Sequence, residues 1–325
     1  MTKKIILCKP NGFCAGVDRA VKIVDLALEA YGAPIYVNHE IVHNKHVVDT
    51  LAAKGAVFVR ESLDEVPVGG RLVYSAHGVP PSLRAHAARR ELKELDATCP
   101  LVTKVHLEAV RFARKGYHIL LIGHAAHVEV EGTRGEVPES VTVVEPRRGG
   151  LSAEDIAALP EPPTDKLIYL TQTTLNVDDC LAVVAALRTR WPHLEAPPSD
   201  DICYATTNRQ NAVKAVADQV DFFVVVGSPN SSNSKRLVEV AREAGTQARL
   251  YGSVAELADT DFGPYHTVGL TAGASSPQVL VTGVIDYLAG HGFHTVEPFD
   301  HVVEDMHFQV PRDFRKDLAE KGIPV

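Results

Sequence analysis

The sequence predicts an α/β protein built on parallel sheets, and three observations predict it. Short apolar-centred runs of strand length recur along the chain, the pattern of parallel strands covered on both faces. Stretches with apolar residues at helical spacing separate these runs, and such alternation implies α/β layers. Three cysteine-bearing turns, at Cys14, Cys99 and Cys203, divide the alternation into pieces of similar make: a strand leading to a cysteine, a helix, then further strand–helix pairs.

Taken in order, strands are expected at KIILC (4–8), PIYVN (34–38), RLVYS (71–75), HILLIG (118–123), KLIYL (166–170), DFFVVVG (221–227) and HTVGL (266–270). After Cys14, Val17, Ala20, Val21, Val24, Ala27, Leu28 and Tyr31 form one helical stripe. Pro100 suits the first position of a helix that follows Cys99. Val177, Leu181, Val184 and Leu187 mark another helix, and Val213, Val216 and Val220 a further one. Ser231, Ser232 or Asn233 is placed to cap a helix starting near Ser234. The cysteine turns lie 85 and then 104 residues apart, which gives three similar α/β units at 1–97 (Cys14), 98–198 (Cys99) and 199–290 (Cys203). Units of that length are ordinary domains. EAPPSD (195–200) reads as a linker, and 291–325, polar with scattered Phe, as a tail packing on the body.

Composition narrows the function. The 325 residues carry 33 Lys and Arg against 41 Asp and Glu, a net charge of −8, which argues against a nucleic-acid partner. No stretch reaches the ~18 apolar residues that a membrane span needs. The apolar run in MTKKIILCKPNGF is too short for a signal peptide. The expectation is a cytoplasmic protein with no membrane partner. In that reducing compartment its five cysteines are thiols or metal ligands rather than disulfides.

Ligands of open parallel sheets bind beyond the carboxyl ends of the strands. There the expected strands run into HEIVHNK (39–45), AHG (76–78), HAAHVEVEG (124–132), TQTTLN (171–176), SPNSSNSKR (228–236) and TAGASS (271–276). These ends are rich in neutral hydrogen-bonding groups and poor in Lys and Arg, which suits an anion held at helix starts. There is no phosphate-binding P-loop motif. HAAHVEVEG reads in three ways: a metal motif using His124, His127 and Glu129, a solvated loop, or an acid–base and substrate-binding segment, the favoured reading. Glu131 competes with Glu129 as the acid, since alternate residues of an extended loop share a side.

Any one cysteine reads as a small buried hydrophobe. Three in equivalent turns beside polar strand ends read as ligands, whereas Cys8, ending a strand run, and Cys180, inside a helix, keep the core reading. No C-x-x-C pair marks a zinc site, although a catalytic zinc with cysteine and histidine ligands stays open. Three thiolates without a fourth suit a 4Fe–4S cluster with one iron left open for a substrate oxygen.

The segments GFCAGVDRA, HEIVHN, SAHGV, DATCPLVTKVH, TQTTL, DDICYATTNRQ, GSPNSSNS and TAGAS, in that order over about residues 5 to 280, resemble the 4-hydroxy-3-methylbut-2-enyl diphosphate reductase family. The resemblance implies three α/β domains around a central 4Fe–4S cluster held by Cys14, Cys99 and Cys203. It implies diphosphate and hydroxyl contacts from His43, His77, His127, Thr173, Ser231, Ser232, Asn233 and Ser275, with Glu129 as proton source. The implied activity is reductive dehydroxylation of an allylic diphosphate to isopentenyl and dimethylallyl diphosphate, the last step of the non-mevalonate isoprenoid pathway. The electrons would come from an external donor such as ferredoxin or flavodoxin. A non-redox iron–sulfur hydratase or dehydratase is the alternative, and a non-enzymatic iron or redox sensor a third. The family often has proline where Val128 stands, between histidine and acid, which bears on the rigidity of that segment.

Overall fold

The computed structural model describes residues 3–60 and 62–325. The strands are β1 (Lys4–Lys9), β2 (Ile35–Asn38), β3 (Ala56–Val59), β4 (Arg71–Tyr74), β5 (Lys93–Asp96), β6 (His118–Ile122), β7 (Val141–Val144), β8 (Leu167–Thr171), β9 (Phe222–Val226), β10 (Gln247–Tyr251), β11 (Thr267–Ala272) and β12 (Thr295–Asp300). The first helices are α1 (Ala15–Tyr31), α2 (Lys45–Ala53), α3 (Pro81–Arg89), α4 (Pro100–Arg114), α5 (Val128–Glu136) and α6 (Ala153–Ala158). They are followed by α7 (Val177–Arg190), α8 (Tyr204–Val216), α9 (Ser232–Glu243), α10 (Gln278–Ala289) and α11 (Arg312–Glu320).

The strands form three parallel sheets, ordered β10-β9-β11-β1-β12, β3-β2-β4-β5 and β7-β6-β8. All seven expected strands are present. The sheets do not follow the expected boundaries, however. β1 pairs with β11 and β12, so the first strand of the chain belongs with the last ones. β12 lies within the segment expected to be a tail, and its register runs from Lys4 opposite Thr295 to Lys9 opposite Asp300. Period-two patterning could not reveal this strand, because TVEPFD is exposed along nearly its whole length.

The chain divides into two compact units. One comprises 1–18, 42–50 and 204–307, and holds the five-stranded sheet; the other comprises 19–41, 51–203 and 308–325, and holds the other two sheets. In the first unit, Ile5, Leu7, Val224, Val268 and Leu270 face Val281, Val284 and Leu288 of α10. The alternate residues Ile6, Cys8, Phe223 and Val225 face Val213 and Val216 of α8 and Leu237 and Val240 of α9. Both sheet faces are thus covered, which is why the central strands read as unbroken apolar runs. In the second unit, Leu120 and Ile122 pack with Cys180, Val183 and Leu187 of α7, and Ile119 and Leu121 with Val105, Ala109 and Phe112 of α4. Leu181, counted in the expected stripe of α7, points outward. Among the described residues no helix is long and apolar enough to cross a membrane.

Candidate functional site

The cysteines fall into two kinds. Cys8 and Cys180 are buried in apolar cores, and burial pushes each thiol up to about 12. Cys14, Cys99 and Cys203 are only partly buried, and each immediately precedes the first residue of a helix: α1, α4 and α8. Negative charge is favoured at that end of a helix. The Cys14 carbonyl accepts the Asp18 N–H at 2.9 Å and the Cys99 carbonyl the Thr103 N–H at 2.9 Å, so each opens its helix. Two residues before Cys14, Gly12 has φ +73°, and a Cβ there would press on the Ser276 carbonyl at 3.2 Å. Glycine is required for that bend. The expectation of a strand before each cysteine fails at Cys203. Pro197 and Pro198 lie in the approach and cannot donate to a ladder, and the nearest pairing is the single bridge of Glu195 to Ile168.

In the first unit, Ser231, Ser232, Asn233, Ser275 and His43 belong to the candidate anion cradle. Ser231 caps α9, its Oγ accepting from the Ser234 N–H at 3.3 Å and the Ser234 hydroxyl at 3.0 Å. Gly227 and Gly273 follow the neighbouring strands β9 and β11, and a Cβ on either would collide with the Ser234 hydroxyl. These two glycines let the start of α9 sit directly on the strand ends. Ser275 Oγ donates to the His43 carbonyl at 3.0 Å. Asn233 is buried, and neither its amide oxygen nor its amide nitrogen has a hydrogen-bond partner. Such a group costs free energy unless something else satisfies it.

In the second unit, the structure joins His77, His127, Glu129, Thr173 and the two remaining cysteines. Cys99 N–H donates to the Ala76 carbonyl at 2.9 Å, beside His77. The rings of His77 and His127 meet edge to face, 5.9 Å between centroids. Glu129 is wholly enclosed: Oε1 accepts the Thr173 N–H at 2.6 Å and Oε2 the Thr173 hydroxyl at 3.0 Å. The Thr173 carbonyl in turn accepts the Cys203 N–H at 3.0 Å. Burial pushes Glu129 up to about 7, against the two Thr173 hydrogen bonds, with Asp201 adding to the rise.

The geometry of 124–132 corrects the loop reading. His127 caps α5, its Nδ1 accepting the Glu129 N–H at 3.2 Å, and Glu129 lies in the first helical turn. On a helix two residues apart means opposite sides, so Glu131 is exposed while Glu129 is buried. Val128 holds the first helical position, which proline favours, and the helix itself sets its backbone. His124 Nδ1 bonds Glu145 Oε1 at 2.7 Å. Among the described residues no three His, Cys, Asp or Glu are grouped to hold one metal ion. A polynuclear cluster asks less, because its ligands sit on separate metal atoms.

Sequence reasoning passed over an acidic and basic group beside this pocket. Asp201, whose side chain is wholly buried, accepts the Thr171 N–H at 3.0 Å through Oδ2 and Lys104 Nζ at 3.0 Å through Oδ1. Glu108 lies 3.8 Å from Lys104, and burial raises both carboxyls. Asp201 and Lys104 stand inside the cysteine motifs; only the fold pairs them.

A family model described as LytB protein matches residues 5–289. The 4-hydroxy-3-methylbut-2-enyl diphosphate reductase of Rhodococcus jostii (strain RHA1) is 54% identical over 96% of this chain and 91% of its own length. The protein of the same name from Mycolicibacterium gilvum (strain PYR-GCK) is 55% identical over 96% of this chain and 92% of its own. Among solved structures, the E-1-hydroxy-2-methyl-but-2-enyl-4-diphosphate reductase from Plasmodium falciparum superposes with a TM-score of 0.93 at 39% identity, covering 99% of this chain and 100% of that one.

Proposed function

The chain belongs to the LytB protein family, and from that membership we propose that it reductively removes the hydroxyl of 4-hydroxy-3-methylbut-2-enyl diphosphate. The products are isopentenyl and dimethylallyl diphosphate. The C–O bond breaks, the hydroxyl leaves as water with one proton, and two electrons with a second proton make the new C–H bond at either end of the allyl unit. The names of the relatives, reductases all, do not favour the non-redox alternative.

The donor set fits one 4Fe–4S cluster. Cys14, Cys99 and Cys203 are partly open thiols at helix starts, while the two other cysteines are sealed in cores. When bound, the cluster supplies the electrons one at a time. An external one-electron carrier, a ferredoxin or flavodoxin, refills it, and the cytoplasm keeps the thiols reduced.

The observation that carries the reading is the Glu129–Thr173 pair. A wholly buried carboxyl raised to about 7 still holds its proton near neutral pH and can give it up. Hydroxide is a poor leaving group, so that proton is what the departing oxygen needs. The Thr173 hydroxyl donates to Glu129 and can also accept, which suits a relay. Ser231, Ser232, Asn233 and Ser275, with the three histidines, hold the diphosphate through charge-assisted hydrogen bonds, without lysine or arginine.

The test is anaerobic purification followed by assay with the allylic diphosphate and a chemical reductant. The expected protein is brown, with broad absorption near ~400 nm and roughly four irons per chain. Turnover should require the reductant. Reductant-independent loss of water would make it a dehydratase, and normal iron and sulfide in Cys203→Ser would break the ligand set.

A further inference from the structure

Each of the three cysteine motifs contains one basic residue shortly after the cysteine: Arg19 after Cys14, Lys104 after Cys99 and Arg209 after Cys203. Their side chains are not spent on solvent. Arg209 is wholly buried, Arg19 is nearly so, and Lys104 is about a quarter exposed.

Each donates to the backbone just ahead of a different cysteine. Arg19 Nη1 donates to the Thr98 carbonyl at 2.9 Å and Nη2 to the Asp96 carbonyl at 3.3 Å, directly before Cys99. Lys104 Nζ donates to the carbonyls of Ser199 at 2.9 Å and Asp200 at 2.8 Å and to Asp201 Oδ1 at 3.0 Å, directly before Cys203. Arg209 Nη2 donates to the Gly12 carbonyl at 2.8 Å, two residues before Cys14. Every one of these bonds lies within a single compact unit. The partners run in a cycle, the helix after each cysteine supplying the cation for the turn before the next.

We propose that Arg19, Lys104 and Arg209 are positioning residues, one for each candidate cluster ligand, which fix the turn ahead of that ligand. This rests on the reading of Cys14, Cys99 and Cys203 as ligands. The physics favours cations for the task. A carbonyl pointing into a ligand turn needs a donor, and a long cationic side chain carries several. An arginine fork or an ammonium holds two or three acceptors of one turn at fixed separations, as neutral side chains of similar length do not. Lys104 shows the effect most fully, since its three acceptors belong to three consecutive residues. Asp201, held by Lys104, in turn holds the Thr171 N–H, so the approach to Cys203 is pinned to the end of β8. Lys104 is compensated by Asp201 at 3.0 Å and Arg209 by Glu304 at 3.1 Å, so the residues act on the turns through their hydrogen bonds rather than through net charge. Arg19 gives its three donations to carbonyls, the third being that of Gln309 at 2.8 Å.

Groups that orient metal ligands from behind typically change metal affinity about 10- to 100-fold when removed. The experiment compares the anaerobically purified iron-loaded protein with Lys104→Met, Lys104→Arg and Arg19→Lys. Lys54→Met, which removes a cation from the surface pair with Asp25, is the control. An iron chelator is added and release is followed by the loss of visible absorption, alongside thermal unfolding and the midpoint potential.

Lys104→Met should release iron at least about tenfold faster than both the parent protein and the control. Its unfolding midpoint should fall below that of the control, because buried Asp201 loses its partner, so the comparison turns on the charge-keeping variants, and Lys104→Arg should recover a slow release. Arg19→Lys, which keeps the charge and loses the fork, should also release iron faster with its midpoint potential little changed. Should Lys104→Met not accumulate, Arg19→Lys carries the comparison alone. Release at the parent rate from Lys104→Met or Arg19→Lys, with the parent itself loaded, overturns the proposal. A parent protein that takes up no iron overturns instead the ligand reading on which the proposal stands.

Discussion

The two compact units treat their polar groups in opposite ways. The first unit presents Ser231, Ser232, Asn233 and Ser275 at the strand ends, and these four groups do not titrate in the physiological range. The second unit encloses carboxyls: Glu129 pushed up to about 7, with Glu108 and Asp201 also raised by burial. Serine and asparagine donors can hold an anion without changing their own charge with pH. A pocket that must give a proton needs a group whose charged state is penalised, and burial supplies that penalty. The difference sets the serine and asparagine donors of the first unit apart from the acid of the second, so substitutions at Asn233 and at Glu129 should affect different kinetic constants.

The largest effect is expected in the second unit. Glu129→Gln keeps the shape and the acceptor for the Thr173 N–H and removes the transferable proton. Turnover should fall at least about 100-fold with KM nearly unchanged, and the visible spectrum should stay that of the parent. Glu131→Gln, on the exposed side of α5, should turn over normally. The reverse pattern would move the acid to Glu131 and break the contrast.

How much of this was legible depended on where each element lies in its sheet. The central strands β1, β2, β4, β6, β9 and β11 are covered on both faces and announce themselves as apolar runs. The strands that escaped notice, β3, β5, β7, β10 and β12, are all edge strands. An edge strand such as KELD, at β5, buries little, so its sequence carries little period-two signal. The residue types proposed for the site stood out in the sequence: cysteines in three similar turns, an acid among neutral polar groups, and serines at a helix start. Its geometry was not. The helical turn that separates Glu129 from Glu131 depends on His127 capping α5. The pairing of Lys104 with the approach to Cys203 joins residues about a hundred positions apart.

In the first unit the expected change is smaller and of another kind. Asn233→Ala should raise KM about 10-fold, the scale of one hydrogen bond to a charged group, with kcat within about twofold. The protein itself should not suffer. Asn233 is a buried amide with both polar atoms unpartnered, so its removal deletes a desolvation cost. Thermal unfolding without substrate should therefore stay level or rise. A fall of several degrees would mean that Asn233 serves the fold, and the neutral cradle would lose its clearest member.

The smallest effect concerns stability against pH and tests the second unit without any turnover. Glu129 moves from an ordinary 4.5 to about 7 on folding. Between those values the folded protein binds the proton more tightly than the unfolded chain, so stability is full below about 4.5 and declines as pH rises through about 7. The whole decline is worth about 3 kcal/mol at most, at about 1.4 kcal/mol per pH unit. Glu108 and Asp201 are raised too and add losses of the same sign, while His106 and His118, held down by burial, add losses on the acid side. All four persist in Glu129→Gln, so their own contributions cancel in the difference between that variant and the parent, which reads Glu129 together with its repulsion from Asp201. The glutamine oxygen can accept the Thr173 N–H and its NH₂ can donate to the Thr173 hydroxyl, so no buried group is stranded. Unfolding midpoints of the two proteins should coincide near pH 5 and separate by a few degrees at pH 8, with the variant the more stable. Parallel curves across that range would mean that Glu129 is not a buried acid held neutral by its surroundings, and the two units would then differ in residue type alone.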